Sequence, residues 1–174
     1  MADERNNIVL IGMPGAGKST IGVLLAKQLA KNFVDTDVII QSVEGRTLQH
    51  IVDHEGHLAL RAIEERELTQ LSLSNHIIAT GGSAAYSERA MAALRRNGVI
   101  VYLKVGYPTL ARRVTNLGSR GIAKAAHQTL ADVFAERIPL YEQHADIVID
   151  CDSLNQEQIV ESICTALGNH PHRQ

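Results

Sequence analysis

The feature that most constrains the fold is a glycine-rich stretch at residues 12–20, with the sequence GMPGAGKST. It matches the pattern G-x-x-x-x-G-K-[ST] at every fixed position. An apolar, β-branched run, NIVLI at residues 7–11, precedes it, and residues 21–30 carry apolar side chains at helical spacing. The stretch therefore lies between a predicted buried strand and the first turn of a predicted helix, where backbone N–H groups and the helix N-terminus favour phosphate. This arrangement indicates a site for a nucleoside triphosphate, and we call residues 12–20 the phosphate loop.

Each residue type in the phosphate loop has a physical role toward a nucleotide. The Lys18 side chain is long enough to reach the β- and γ-phosphates, and the Ser19 hydroxyl is placed to bind Mg²⁺. The predicted ATP-binding residues of the loop are Gly15, Ala16, Gly17, Lys18, Ser19 and Thr20. We therefore predict ATP as a co-substrate and Mg²⁺ as the cofactor.

The composition excludes several classes of protein. A chain of 174 residues that is 45% apolar and 21% charged suits one soluble domain. A net charge of −2, 3% aromatic residues and no Trp argue against nucleic acid and against an anionic membrane surface. No apolar run approaches the roughly 18 residues that span a bilayer. Because residues 1–7 have no apolar signal segment and Cys151 and Cys164 form no disulfide framework, we expect a cytoplasmic protein, and we expect a monomer.

Five predicted strands alternate with helices along the chain. The strands are predicted at residues 7–11, 32–37, within 76–83, at 98–103 and at 145–150. The helices are predicted at residues 21–30, in two parts within 47–74 that Gly56 separates, and at 87–96, 108–116, 129–143 and 155–167. Asn97-Gly98 and Gly168 are predicted to end their helices in the left-handed conformation. Pro139 is predicted to kink or end the helix that contains it. The alternation predicts an α/β fold: a five-stranded parallel sheet with helices on both faces, in a single domain at residues 1–174.

Two carboxylates follow the second predicted strand. Asp35 and Asp37 are two residues apart, and on an extended segment such residues point to the same side. They are candidates for Mg²⁺ coordination and for activating a hydroxyl group. The alternative is a helix N-cap, because Asp37 precedes the apolar residues 38–40.

Two further features have both a functional and a structural interpretation. Gly81-Gly82 follows the third strand and permits close approach of backbone to a ligand, or forms a plain turn. Arg61 lies on a predicted helix, where it binds a ligand or stays on a solvated face paired with Glu64. Because ligands bind beyond the carboxyl ends of parallel strands, the phosphate loop, the aspartates and the glycine pair are expected to converge at one edge of the sheet.

Residues 117–126 are rich in small and basic side chains and have few apolar anchors. In a kinase, such a segment serves as a mobile lid that closes over the reactants and excludes water. The alternative is a surface connection without a role.

Taken together, these motifs resemble the shikimate kinase family, which belongs to the nucleoside-monophosphate-kinase-like group of P-loop kinases. The resemblance covers nearly the whole chain in order. It rests on GAGKST at residues 15–20, DTD at 35–37, LRAIE at 60–64, TGG at 80–82 and ERIPLY at 136–141.

The resemblance implies a role for each matching residue. Asp37 corresponds to the proposed base that contacts the substrate hydroxyl, and Asp35 to the residue that holds Mg²⁺ through water. Arg61 and Arg137 correspond to the ligands of the substrate carboxylate, and Gly81 and Gly82 to its backbone contacts. Arg120 matches the lid arginine that approaches the phosphates, and Arg113 matches the arginine that packs on adenine. The implied catalytic residues are Lys18, Asp37 and Arg120.

Three motifs depart from the family's pattern. Leu60 stands in place of Phe, the glycine turn reads Gly81-Gly82-Ser83 in place of GGG, and the lid reads RGIA at residues 120–123 in place of RPLL. The resemblance implies ATP-dependent phosphorylation of shikimate to shikimate 3-phosphate, in aromatic amino acid biosynthesis. The alternatives are another small hydroxy acid on the same scaffold, such as homoserine or gluconate, and a nucleotide-binding protein without turnover.

Overall fold

The sheet of this chain is built from short parallel strands. In the computed structural model, which describes residues 5–114 and 121–170, the strands are Asn7–Ile11 (β1), Asn32–Asp35 (β2), His76–Ala79 (β3), Gly98–Lys104 (β4) and Ile147–Asp150 (β5). Their order is β2-β3-β1-β4-β5, and every neighbouring pair is parallel. β1 lies in the centre and all of its residues are buried, as expected for an apolar strand covered on both faces. The predicted five-stranded parallel α/β sheet is confirmed.

The helices fall into groups that pack against one another and the sheet. They are Lys18–Leu29 (α1), Thr36–Glu44 (α2), Leu48–Glu55 (α3), His57–Gln70 (α4), Glu88–Asn97 (α5), Tyr107–Arg113 (α6), Leu130–His144 (α7) and Gln156–Asn169 (α8). α1 and α8 contact each other, α1 lies against the strands β1 to β3, and α8 lies against β5. A 3₁₀ turn, Ala84–Tyr86, contacts α4, α5 and α7, so it joins three helices.

The order of the strands places the ligand crevice. β2 and β3 lie on one side of β1, whereas β4 and β5 lie on the other, so the chain changes direction across the sheet at β1. In open parallel sheets, ligands bind beyond the carboxyl ends of the strands at such a switch point. The phosphate loop directly follows β1 and therefore lies at this crevice.

A second, smaller apolar cluster supports one side of the crevice. It joins α2, α3 and α4 to the segment after residue 120, and its buried members are Ile40, Leu48, Ile51, Leu60, Ile63 and Ala123. Leu60, which stands where the family has Phe, is thus a core residue. The predicted scarcity of apolar anchors in residues 117–126 is wrong for the described part, because Ile122 and Ala123 are both buried. Residues 117–120 lie outside the described residues, and the lid stays a prediction.

Several predicted boundaries are wrong. The strand predicted at 32–37 ends at Asp35, because α2 begins at Thr36. The left-handed end predicted at Asn97-Gly98 is absent: Gly98 is extended with φ of −139° and begins β4 directly. A methyl group at Gly98 would lie 2.8 Å from the Leu94 carbonyl oxygen, so glycine is required there by close packing. Gly168 does not end α8, since that helix continues to Asn169 and is capped by His170 with φ of −73°.

Two other expectations concern helix ends. α7 does not end at Pro139, because it runs without a break from Leu130 to His144. The helix predicted at 108–116 is described as Tyr107–Arg113, and residues 115 and 116 lie outside the described part. Within residues 5–114 and 121–170, no helix has the length and apolar character needed to cross a membrane.

Candidate active site

The phosphate loop has the backbone that its glycines allow. Gly15 and Gly17 have φ of +82° and +93°, a region that glycine enters without steric cost. Gly17 is the N-cap of α1 and, having no side chain, makes no capping hydrogen bond. The first N–H groups of α1 are therefore available to an anion at the end of β1.

Lys18 is the first residue of α1 and is buried with its ammonium group turned back over the loop. Nζ donates hydrogen bonds to the carbonyl oxygens of Gly12 at 2.7 Å and Met13 at 2.8 Å. Burial lowers the pKa of Lys18 to about 8, although the nearby Asp37 carboxylate opposes this shift. The loop thus holds a cation next to the place where phosphates are expected.

Asp35 connects the phosphate loop to α2. The Ser19 hydroxyl donates a hydrogen bond to Asp35 Oδ2, and Asp35 Oδ1 accepts one at 2.9 Å from the backbone N–H of Asp37. Asp35 is therefore the N-cap of α2. The capping alternative is wrong for Asp37, which lies in the first turn of that helix.

Asp37 lines a cavity beside the phosphate loop that we call the main cavity because it joins most of the predicted site residues. Burial raises the pKa of Asp37 to about 6, with a further contribution from the Asp35 carboxylate, while Lys18 acts in the opposite direction. A carboxyl group with a raised pKa is better suited to accepting a proton than an ordinary exposed aspartate.

The main cavity, about 540 Å³, joins most of the predicted site residues. Its wall includes the phosphate loop, α2, α4, the turn after β3, α6, α7 and the segment after residue 120. The lining residues are Pro14, Gly15, Gly17, Lys18, Ser19, Thr20, Asp37, Ile40, Leu48, Leu60, Glu64, Thr80, Gly81, Gly82, Ser83, Arg113, Gly121, Ile122, Ala123 and Arg137. The predicted convergence of the phosphate loop, Asp37 and the glycine pair is confirmed.

The turn after β3 brings two carboxylates together. A methyl group at Gly81 would lie 2.6 Å from Glu64 Oε1 and 2.7 Å from Asp37 Oδ1, so any larger residue would collide with both. Gly82 lines the same cavity, and its carbonyl oxygen accepts a hydrogen bond from the Tyr141 hydroxyl at 2.5 Å. Gly81 and Gly82 thus both line the main cavity, and their contact with a ligand stays a prediction.

Glu64 is a site residue that sequence reasoning missed. It was considered only as a partner of Arg61, yet it is 3% exposed and lines the main cavity. The Ser83 hydroxyl donates to Glu64 Oε2, whereas Oε1 has no hydrogen-bond partner among the described residues. Burial raises the pKa of Glu64 to about 7. The glutamate at the end of the LRAIE motif was the sequence signal that could have identified Glu64 as a site residue.

Arg137 is a buried cation that α7 contributes to the wall of the main cavity. It is 1% exposed, and its Nη2 donates to the Ala123 carbonyl oxygen at 2.7 Å. Its Nε lies 3.4 Å from the Tyr86 hydroxyl oxygen. α7 thus delivers a fixed guanidinium group into the main cavity.

Arg61 lies beside this cavity rather than in its wall. It lines a neighbouring cavity of about 360 Å³ that shares Glu64 and Ser83 with the main one. Its guanidinium carbon lies 3.5 Å from the centre of the Tyr86 ring, and its Nη2 lies 3.7 Å from Glu136 Oε1. The ion pair that Arg61 forms is therefore with Glu136 and not with Glu64.

Arg113 and α8 form the other end of the site. Arg113 Nη1 donates to the Gly15 carbonyl oxygen at 3.2 Å. A cavity of about 630 Å³ lies between the phosphate loop, Arg113 and the start of α8, where Leu154, Asn155, Gln156 and Glu157 line it. Sequence reasoning missed residues 154–157, because a loop before a C-terminal helix carries no motif. Arg120 lies outside the described residues.

Comparison with known proteins gives a consistent result. The sequence model of the family described as "Shikimate kinase" matches residues 14–168, which is most of this chain. The chain belongs to the shikimate kinase family. "Shikimate kinase 2" of Enterobacter sp. (strain 638) is 36% identical over 165 residues, covering 92% of this chain and 94% of the relative. The shikimate kinase of Pseudomonas aeruginosa (strain UCBPP-PA14) is 36% identical over 170 residues, covering 96% and 99%.

A solved relative has the same fold. The structure of shikimate kinase from Acinetobacter baumannii in complex with shikimate is 28% identical, with a TM-score of 0.84, and covers 97% of this chain and 96% of that one. Membership of this family makes the chain a small-molecule kinase with a P-loop nucleotide site. The family resemblance and the kinase class predicted from the motifs are confirmed.

Proposed function

We propose that this kinase transfers the γ-phosphoryl group of ATP to the 3-hydroxyl group of shikimate. The observation that carries the proposal is a single cavity lined by the phosphate loop, Asp37 and the buried Arg137. These supply a site for the phosphate donor, an acceptor for the hydroxyl proton and a cation for a carboxylate. Family membership and the shikimate-bound relative from Acinetobacter support shikimate as the acceptor.

The nucleotide is proposed to lie across the phosphate loop with its base toward α8. Backbone N–H groups of residues 15–20 and the Lys18 ammonium would bind the β- and γ-phosphates. The base would occupy the cavity between Arg113 and residues 154–157. Arg120 is proposed to approach the phosphates, as the family resemblance implies.

The residues at the start of α1 and α2 fit Mg²⁺. The Ser19 hydroxyl and the Asp35 carboxylate are in direct contact, and both are the oxygen ligands that this ion prefers. The described residues contain no cluster of three or more His, Cys, Asp or Glu side chains suited to a metal. This agrees with an ion held by one or two protein groups together with phosphates, where it would neutralise charge on the transferred group.

The acceptor is proposed to bind between Asp37 and Arg137. Asp37 would orient the 3-hydroxyl and take its proton as the oxygen attacks the γ-phosphorus and the bond to the β-phosphate oxygen breaks, releasing ADP. Arg137 and Arg61 would hold the carboxylate of the acceptor, which decides which hydroxyl reaches the phosphate. Gly81 and Gly82 would contact the acceptor through their backbone.

The cellular setting is proposed from the same chemistry. A kinase that uses ATP fits the cytoplasm, and Cys151 and Cys164 are not joined by a disulfide in the described part of the chain, which fits a reducing compartment. We propose that the monomer is active, because the phosphate loop, Asp37 and Arg137 of a single chain supply the groups that the proposed reaction needs.

A substrate panel tests the proposed function. Purified protein would be assayed for ADP release with ATP and Mg²⁺ and with shikimate, homoserine, gluconate or the methyl ester of shikimate. Shikimate should be used best, and the ester should lose about tenfold to over a hundredfold in kcat/KM because a charge-assisted hydrogen bond is lost. Turnover of homoserine or gluconate but not of shikimate would contradict shikimate as the acceptor. If none of the four compounds leads to ADP release, the kinase activity is contradicted.

A further inference from the structure

The Tyr86 ring lies next to the guanidinium groups of two arginines. It ends the 3₁₀ turn that joins α4, α5 and α7. The guanidinium carbons of Arg61 and Arg137 lie 3.5 Å and 5.3 Å from the centre of its ring. One aromatic side chain therefore contacts a cation from α4 and a cation from α7.

The hydroxyl group of Tyr86 has its own partners. It donates to Glu136 Oε1 at 2.5 Å and accepts from Arg137 Nε at 3.4 Å. Glu136 Oε2 is in turn bonded at 2.9 Å by Gln128. These bonds hold the hydroxyl end of the Tyr86 ring in place and thereby set the orientation of the ring face.

Arg61 depends on the face of this ring. Among the described residues, its buried Nε has no hydrogen-bond partner, and its ion pair is with Glu136, at 3.7 Å. The guanidinium carbon lies over the Tyr86 ring, 3.5 Å from its centre. Stacking fixes the plane of a guanidinium without using its N–H donors, which stay available to a ligand.

We propose that Tyr86 is a positioning residue for acceptor recognition: its ring fixes Arg61 and its hydroxyl fixes Arg137, so that the two guanidinium groups keep one spacing for a carboxylate. This proposal rests on the proposed function, because the carboxylate is that of shikimate. A planar carboxylate requires donors in a defined plane, so a change in their spacing weakens binding of the acceptor.

Two substitutions separate the ring from the hydroxyl. Tyr86→Phe keeps the stack on Arg61 and removes the bonds to Glu136 and Arg137, so KM for shikimate should rise about threefold to tenfold. Tyr86→Leu removes both, and KM should rise about tenfold to a hundredfold. KM for ATP should change less than about twofold in each case, since neither variant touches the phosphate loop.

A double substitution tests whether the ring acts through Arg61. Arg61→Lys replaces a stacked fork by a point charge. If Tyr86 positions Arg61, adding Arg61→Lys to Tyr86→Leu should raise KM for shikimate by less than about twofold beyond Tyr86→Leu alone. If the increases in KM for shikimate of the two single variants multiply in the double variant, the two residues act independently, and the proposal is overturned.

Tyr107→Phe is the matched control. Tyr107 packs edge-on against Phe134 at 5.6 Å and lines none of the cavities at the site, so this variant should match the wild type. A folded Tyr86→Phe with unchanged KM for shikimate overturns the proposal even if Tyr86→Leu does not fold. An equal rise in both KM values also overturns it, because that indicates a general structural role. No turnover of shikimate by the wild type would contradict the proposed function and this inference together, whereas wild-type turnover with unaffected Tyr86 variants contradicts only the inference.

Discussion

The nucleotide side and the acceptor side of the main cavity are built in different ways. The phosphate-binding part of the nucleotide side is one contiguous stretch, in which the Lys18 ammonium donates to carbonyl oxygens five and six residues away. The acceptor side is assembled from α2, α4, α7 and the turn after β3, with Ser83 bonded to Glu64 across 19 residues of chain. A short motif fixes the first side, whereas helix packing fixes the second.

Two of the three departures from the family's pattern agree with this difference. The phosphate loop matches at every fixed position, while the departures Leu60 and Ser83 lie on the acceptor side. Leu60 is part of the small apolar cluster, and Ser83 provides a hydroxyl that a third glycine lacks. Side chains contributed by separate helices can change one at a time, whereas the loop works as a unit.

The largest expected effect is on the nucleotide side. Lys18→Met should lower kcat on the order of 10³–10⁵-fold, because the loop loses the charge that stabilises the transferred phosphoryl group. Since the buried ammonium has a lowered pKa, its removal should not destabilise the fold at pH 7. Turnover, thermal unfolding and shikimate binding by calorimetry are the measurements.

Those measurements also test the independence of the two sides. Shikimate should bind the Lys18→Met variant within about threefold of its affinity for the wild type, as an intact acceptor side requires. Wild-type activity in the folded variant would contradict the role of the phosphate loop. Loss of shikimate binding along with activity would contradict the separation of the two sides.

The next effect concerns Asp37, which lies at the boundary of the two sides. Asp37→Asn should lower kcat about 10²–10⁴-fold through loss of the proposed base, with KM for ATP within about twofold. Asp53→Asn, an exposed aspartate on α3 that accepts a hydrogen bond from Gln49, is the control. A kcat within about twofold of the wild type for Asp37→Asn would show that Asp37 is not the base.

Sequence reasoning succeeded where one local pattern decides the structure. Buried β-branched runs such as residues 7–11 gave the strands, and the phosphate loop gave the position of the crevice. Helix ends were harder to predict. Gly168 was predicted to end the last helix, whereas α8 continues to Asn169 and is capped by His170. Propensity is a weak guide at a helix end, where packing and neighbouring residues decide.

The acceptor side was predictable only in part. Asp37, Gly81 and Gly82 line one cavity with the phosphate loop, as predicted from their positions after the strands. The environment of Glu64 and the stack of Arg61 on Tyr86 were not predictable, because they depend on how α4, α7 and the 3₁₀ turn pack. Contacts between residues far apart in sequence leave no periodic signal.

The smallest expected effect sharpens the comparison through Glu64. Its carboxyl group faces Asp37, Arg137 and Lys18, and burial is the main cause that raises its pKa from the ordinary 4.5 to about 7. A carboxyl group whose pKa is higher in the folded state favours folding when protonated, and this contribution is lost as the pH rises from about 4.5 through about 7. The charged form therefore costs stability at pH 8.

Glu64→Gln, which has nearly the same shape and cannot ionise, should raise the free energy of unfolding at pH 8 by about 1–3 kcal/mol. The gain should shrink through the window from about pH 7 to 4.5 and vanish below it, because the wild-type carboxyl is then neutral in both states. Denaturant unfolding at pH 4, 6 and 8 measures the trend, with Glu161→Gln, an exposed position on α8, as the control. A gain that is equal at all three pH values would mean that packing rather than charge is responsible. A lower free energy of unfolding for Glu64→Gln at pH 8 would mean that Lys18 and Arg137 stabilise the Glu64 carboxylate by more than its burial costs. The acceptor side would then be an ion-paired network rather than a site in which burial disfavours the charged carboxylates.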